Sequence, residues 1–384
     1  MMQPLYLDYA ATTPLDPSVA ARMREVQESG FANPASNHAA GRKSAAIVEH
    51  AAGQLAALLN TEAQTIIWTS GATESNNLAL AGAAHQRSHR GRHLVTMRTE
   101  HKAVVDVFRA LEKQGFDVSW LEPDEYGLLS VARLQAALRD DTQLVSVMHI
   151  NNETGVAQDI AALGGVCRDK GICFHVDGAQ AAGKVVVNLQ TLPVDLYSLT
   201  AHKFYGPKGI GALIVADGTF IEPLMFGGGQ QRRLRPGTLP VDLIAGLGAA
   251  ASVATEGLYD ELVRMATLRQ QLWNGIRDLD GIYLNGLSES GYPGILNVGI
   301  DDIEGESLLL ALEPLCVATG SACNAKSQEP SYVLRALGRS DRQAQSAIRF
   351  SLGRATSQDD IAAAIDIYRG AIHRLRALAP RAPV

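Results

Sequence analysis

The sequence predicts an α/β protein built on a mostly parallel sheet and followed by a smaller C-terminal α/β unit. Short β-rich runs alternate with stretches of helical period from about residue 16 to residue 255. Several of these runs are apolar at successive positions, as in strands buried on both faces. After about residue 240 a long helical stretch leads into a second, shorter set of strands and helices.

In chain order, SAAIVEHAAGQLAALLN (44–60) repeats apolar side chains at helical spacing. TIIWT (65–69) then reads as a strand, and another helix opens after Ser70. Further strands are expected at HLVTM (93–97), QLVSVMHI (143–150), ICFHV (172–176), VDLYSL (194–199) and GALIV (211–215). Beyond the long helical segment that starts at Leu243, GILNVGI, LCVATGSAC and AIRFSLG supply the strands of the second unit. ESLLLALE lies among them, and an amphipathic helix follows.

The chain has 384 residues, 46% hydrophobic and 19% charged, an ordinary globular composition long enough for two cores. A formal net charge of -6 gives no broad positive field, and the one basic cluster, RRLR at 232–235, is small, so direct nucleic-acid binding is not expected. The N-terminus lacks a basic region followed by an apolar one, and no stretch reaches about 18 uninterrupted apolar residues. A cytoplasmic protein without a membrane partner is therefore expected. The four cysteines, Cys167, Cys173, Cys316 and Cys323, form no CxxC pair and no zinc-ligand spacing. Cys167 and Cys173 read as buried small hydrophobes, whereas Cys323 alone sits in a loop-like run, TGSACNAKSQEP (319–330).

ICFHVDGAQ places Asp177 directly after an apolar strand, and DLYSLTAHKFYGPKG places Lys203 directly after another. In open α/β sheets ligands gather at the carboxyl ends of strands. An acid and a lysine at two such ends suggest pyridoxal phosphate, which needs a lysine for its Schiff base and a carboxylate facing its pyridine nitrogen. TSGATESNN follows a strand and opens a helix, so Gly71 and the N–H groups near Ala72 and Thr73 could cradle a phosphate. The alternative is plain capping, Thr73 with Asn76 or Ser70 with Thr73.

YLDYAATTP, TSGATESNN, TEHKAV, HINNETGVAQDI, HVDGAQ, AHKFYGPKGIGAL, RPGTLP, GSACNAKSQEPSYVLRALG and IRFSLGR together resemble the successive motifs of the cysteine desulfurases of the IscS/NifS type, class V, fold-type I pyridoxal-phosphate enzymes. The likeness runs from about residue 5 to residue 378. It implies a fold-type I transferase with a mostly parallel seven-stranded sheet in a large cofactor-binding domain over 14–256. A smaller α/β domain would be formed by 1–13 with 257–384 and would carry the loop at about 319–330.

The resemblance also implies roles. Lys203 matches the Schiff-base lysine, with Lys208 in its Gly/Pro turn as the rival. Asp177 matches the pyridinium partner, and Gln180 the donor to the cofactor's phenolic oxygen. Ala72, Thr73, Thr200 and His202 match phosphate contacts. Thr238 matches a residue that reaches the phosphate of a neighbouring subunit, which implies a homodimer with shared active sites. His101 matches the histidine that stacks on the ring and moves a proton. Asn152 matches a residue near the phenolic oxygen and the substrate, although a turn role is open to it. Arg349 matches the fork that holds the carboxylate of the substrate, L-cysteine, with Arg354 the less favoured candidate.

Cys323 matches the nucleophile that takes the substrate's sulfur as a persulfide and hands it to a protein acceptor, an iron–sulfur scaffold or a tRNA- or DNA-thiolation protein. No resident metal is implied, Cys323 being at most a transient iron–sulfur ligand. Thr200 and Ala201 stand where serine and glycine are usual, DGAQ where DATQ is frequent, and CNAKSQEP where small hydroxylated residues are commoner. The chain stops at ALAPRAPV, without the longer tail that some members use to dock the scaffold. The rival readings are a selenocysteine lyase or cysteine β-lyase of the same fold, and a non-catalytic sulfur carrier.

Overall fold

The computed structural model describes residues 4–286, 291–319 and 329–378. Cys323 lies outside them. Strand β1 (Leu5–Tyr6) precedes helices α1 (Pro17–Ser29) and α2 (Ala39–Leu59). Asp16 starts α1, its carboxylate accepting from the Ser18 N–H, with Pro17 in the first turn, where a missing donor costs nothing.

The large sheet is built from β2 (Ile66–Thr69), β3 (His93–Met97), β4 (Asp117–Leu121), β5 (Thr142–Met148), β6 (Cys173–Asp177), β7 (Leu196–Thr200) and β8 (Gly211–Val215). Between its strands run α3 (Ala72–Gln86), α4 (Lys102–Lys113), α5 (Val131–Ala137) and α6 (Ile160–Asp169). Its order is β2-β8-β7-β6-β5-β3-β4. Only β8 runs antiparallel to its neighbours, so β2 points the same way as the other five and the sheet is mostly parallel.

The period of two along these strands separates two cores. Val95, Val145, Val147, Phe174, Val176, Tyr197, Leu199, Ala212 and Ile214 face one cluster, shared with α2. Leu94, Leu144, Cys173, Leu196, Leu213 and Val215 face another, shared with α3 and α4. Cys167 and Cys173 are buried, and burial pushes the Cys167 thiol up to about 12. Both are packing residues, as their sequence context predicts.

Next come α7 (Val241–Ile276), β9 (Ile282–Leu284), β10 (Ile295–Ile300), α8 (Gly305–Ala311), β11 (Leu315–Cys316), β12 (Ala318–Thr319), α9 (Tyr332–Ala336), α10 (Asp341–Gln345), β13 (Ile348–Ser351) and α11 (Gln358–Leu378). β12, β13, β10 and β9 form an antiparallel sheet in that order, and β1 pairs in parallel with β11. α7 is long and apolar enough to cross a membrane by length and composition. Its side chains are instead used inside the protein. Ile244, Leu247, Ala250 and Ala251 pack in the first core, whereas Met265, Leu268, Leu272 and Ile276 pack in a separate core with β10, β13 and α11. Burying each large aliphatic side chain there contributes about 1.5–3 kcal/mol.

Two of the sequence's departures from the family pattern have a steric setting. A Cβ at Gly178 would lie 2.1 Å from the Tyr197 ring, so the buried tyrosine requires glycine at that place. The Tyr197 hydroxyl in turn meets His149 Nδ1 at 3.2 Å. Ala201 is fully buried, directly beneath Gly206.

Candidate active site

Because β2, β3, β5, β6 and β7 point the same way, their carboxyl ends lie along one edge of the sheet. There β6 ends in Asp177, and the segments after the other four deliver Gly71, His101, Asn152 and Lys203. Ala72, Thr73, Asn152, Asp177, Gln180, Thr200, His202, Lys203, Lys208 and Arg349 line one cavity of about 470 Å³ there, together with His101. His101 and Asn152 also line a neighbouring cavity of about 520 Å³, to which Glu329 and Ser331 contribute as well.

The phosphate-type cradle forms at Gly71. Its φ of +150° with ψ of 177° is a backbone conformation open to glycine and essentially closed to other residues. A Cβ at Gly211 would approach Gly71 Cα to 2.7 Å, so β8 also needs glycine for the loop to come this close. Among the described residues no side chain caps α3. This corrects the capping alternative: the Asn76 side chain turns to Asp177, and the Ser70 N–H is met instead by the Glu74 carboxylate at 2.7 Å. Glu74 is in turn clamped by Arg235 at 2.8 Å. The helix therefore keeps N–H groups for an external anion.

Asp177 closes β6. Its carboxylate accepts from Asn76 Nδ2 at 2.7 Å and from the Ala179 N–H at 3.0 Å. These two donors fix the orientation of the carboxylate at the cavity wall. Asn76 Oδ1 is buried and has no partner among the described residues.

Lys203 ends the short turn after β7. Its Nζ donates to the carbonyls of Ala10 and Ala11 at 2.5 and 2.8 Å, so the N-terminal segment is the strap that holds it. His202 Nδ1 lies 3.1 Å from Thr12 Oγ1. Burial, followed by the charges of Lys203, Lys208 and Lys184, pushes His202 down to about 4, so its ring is neutral. Lys208 lines the same cavity but is exposed.

His101 is the N-cap of α4. Its Nδ1 accepts from the Ala103 N–H at 3.1 Å, which places the proton of the neutral ring on Nε2. Arg349, on β13, is buried; it donates to the Asn152 carbonyl at 2.7 Å and to the Asp8 carboxylate at 2.6 Å. Its Nε is buried with no partner among the described residues. Arg354, by contrast, is taken up by Asp16, Glu261 and the face of Tyr205. Thr238 is exposed and is not part of the cavity lining.

Several groups escaped sequence reasoning. Asn76, Asp8 and the carbonyls of Ala10 and Ala11 act on residues far away in the chain. Glu100 is buried with one carboxylate oxygen on the Met148 N–H at 2.8 Å, and burial raises it well above the ordinary carboxylate range. Burial also pushes Glu153 up to about 7, against the pull of Ser331, Arg349 and His101; Ser331 Oγ donates to it at 2.5 Å.

An anion cradle, an acceptor carboxylate, an amine and an unpartnered buried amide oxygen around one cavity fit pyridoxal phosphate. Comparison with known proteins agrees. The aminotransferase class-V family model matches residues 5–363. The cysteine desulfurase IscS of Klebsiella pneumoniae subsp. pneumoniae is 51% identical over 385 residues, which cover 99% of this chain and 95% of the relative. Among solved structures, a NifS-like protein matches with a TM-score of 0.91 at 33% identity, over 97% of this chain and 100% of its own. SspA, solved in complex with cysteine, matches with a TM-score of 0.81 at 36% identity, over 90% of this chain and 98% of its own. With a family model spanning nearly the whole chain and half of its residues shared with a full-length relative, the chain belongs to the class-V aminotransferases and, within them, to the cysteine desulfurases of the IscS/NifS type.

Proposed function

We propose that this chain uses pyridoxal phosphate, held on Lys203, to take the sulfur of L-cysteine onto Cys323. The observation that carries the reading is the meeting of Lys203 and Asp177 with the uncapped start of α3 around one cavity. The SspA relative, solved with cysteine, supports the substrate.

When bound, the cofactor withdraws electrons from the substrate's α-carbon and so weakens the bond to sulfur one carbon away. Ala72, Thr73, Thr200 and His202 would hold its phosphate, Asp177 would face its ring nitrogen, and Gln180 with Asn152 would face its phenolic oxygen. Arg349, which lines the cavity, takes the substrate carboxylate. Lys203 moves a proton at the α-carbon, and His101 takes the proton of the substrate thiol on Nδ1, which gives up the Ala103 N–H to do so. Cys323 thiolate then forms a sulfur–sulfur bond as the carbon–sulfur bond breaks. The balance is L-cysteine plus thiol giving L-alanine plus persulfide, which needs no external oxidant.

The same reading gives the persulfide to a protein acceptor in the cytoplasm. It makes the working form a homodimer, because Thr238, exposed in one chain, would reach the phosphate in the other. It also divides the chain into a large unit over 14–256 and a small unit of 1–13 with 257–384; the separate cores at the two ends of α7 support that division.

The test is incubation of the cofactor-loaded protein with L-cysteine without reductant, in wild type and Cys323→Ser. Alanine and an added sulfur on the Cys323 peptide, both in wild type and neither in the variant, are expected. Pyruvate and sulfide made equally by both proteins would make it an elimination lyase and leave Cys323 without a role.

A further inference from the structure

Lys184 is a buried amine that the mechanism does not use. It is only 8% exposed and lies one turn beyond Gln180, in a segment wound tightly by the Ala181, Ala182 and Lys184 N–H groups. Its Nζ donates to Gln180 Oε1 at 2.6 Å. Gln180 Nε2 donates to the Ala10 carbonyl at 2.8 Å, and that same carbonyl accepts from Lys203 Nζ at 2.5 Å. A continuous line of contacts thus runs from Lys184 through Gln180 and Ala10 to Lys203, the last three lining the cavity.

An amide can present either its oxygen or its nitrogen to a neighbour, and the two faces act oppositely on an anionic oxygen. A Gln180 side chain without a fixed partner could turn its oxygen toward the cavity and repel the cofactor's phenolic oxygen. Lys184 removes that option, because an amine has protons to give whether it is charged or neutral, and Gln180 Oε1 is already held. Burial, then the charges of Lys203 and Arg349, hold the Lys184 amine well below its ordinary value, against the pull of Glu261. The Tyr292 ring lies 5.4 Å away.

We propose that Lys184 is a positioning residue, locking the Gln180 amide with Nε2 on the cavity side so that Gln180 can only donate to the cofactor's phenolic oxygen. The proposal rests on the reading of this cavity as the pyridoxal-phosphate site. Nothing in it requires Lys184 to touch cofactor or substrate.

The experiment uses the full chain loaded with pyridoxal phosphate and no substrate. It reads the pH midpoint of the visible absorbance and the dissociation constant of the cofactor from the apoprotein, in wild type, Lys184→Met, Gln180→Ala and the double variant. A donor lost from an anionic oxygen leaves more negative charge in the conjugated system, so protonation becomes easier and the midpoint rises. Lys184→Met should raise the midpoint by about one pH unit and weaken cofactor binding about ten-fold, as expected for a disturbed hydrogen bond to a charged group. In the Gln180→Ala background, Lys184→Met should change neither quantity by more than about two-fold, because coupled groups are not additive.

An unchanged midpoint in Lys184→Met, or the same shift with Gln180 absent, would overturn the proposal. Should Lys184→Met not fold, Gln180→Glu keeps a partner for Lys184 while deleting the donor, and an unmoved midpoint there overturns it equally. A wild-type protein that develops no visible band with pyridoxal phosphate would sink the reading of the site and this proposal with it. A titrating band that ignores Lys184 would sink the proposal alone.

Discussion

The cavity has two walls made by different sheets, and they hold their functional groups in different ways. On the large-sheet wall, Gly71, Asp177 and Lys203 follow the ends of parallel strands, so the backbone itself sets their places. On the small-sheet wall, Arg349 projects from within an antiparallel strand, paired across to Asn297 and Ala318, and its guanidinium is oriented by the Asp8 carboxylate and the Asn152 carbonyl. The first wall is fixed by chain geometry. The second is fixed by side-chain contacts that a carboxylate can join. The difference suits a permanent cofactor on one side and an exchanging substrate on the other.

The sharpest way to break this comparison is to remove the group on which the permanent wall depends. Lys203→Ala should lower alanine release by at least about 10⁴-fold, since on the proposed reading it deletes the cofactor's attachment and a proton carrier together. Turnover within a factor of ten of wild type would move those roles to Lys208.

Arg349→Ala should instead raise KM for L-cysteine about 100-fold while leaving the visible band of the loaded protein in place, the loss expected for a buried charge-assisted contact. A lost band with unchanged KM would reverse the two walls. Gly71→Ala forces a residue with a side chain into a conformation that costs on the order of 1–3 kcal/mol. It should weaken cofactor retention about ten-fold, as read by equilibrium dialysis, with little change in KM.

The smallest effect concerns Glu153, at the seam between the walls. In the unfolded chain its carboxyl loses its proton at the ordinary carboxylate pH, but in the folded protein only near 7. Between those values the folded state binds a proton that the unfolded state gives up, so this residue's contribution to stability falls as pH rises across the window. Glu153→Gln removes that term. Its stability relative to wild type, from thermal unfolding midpoints, should rise between pH 5 and pH 8 by on the order of 1 kcal/mol. A flat difference would show that Glu153 is already ionised at pH 5.

The two walls also differ in how much the sequence reveals. Strands buried on both faces leave unbroken apolar runs, and HLVTM and GALIV coincide with β3 and β8 to the residue. Residues at the ends of such runs, Asp177 and Lys203 among them, are conspicuous for the same reason. β4 escaped because DVSWL is an edge strand, half-exposed and broken by Asp117 and Ser119. Asp8 escaped because its partner Arg349 is 341 positions away, and Asn76 because Asp177 is 101 away; no local pattern encodes either contact. Lys184 alone left a trace, four residues beyond Gln180 in DGAQAAGK.

The contact of Gly178 with Tyr197 has a historical consequence. The ring forbids a change made first at position 178: adding one carbon there while the ring remains places atoms 2.1 Å apart. A lineage moving between this pairing and one with alanine at 178 must shrink residue 197 before it enlarges residue 178, and must enlarge 197 last on the way back. A single exchange at position 178 copied from a relative can therefore fail here even where the relative carries it without harm.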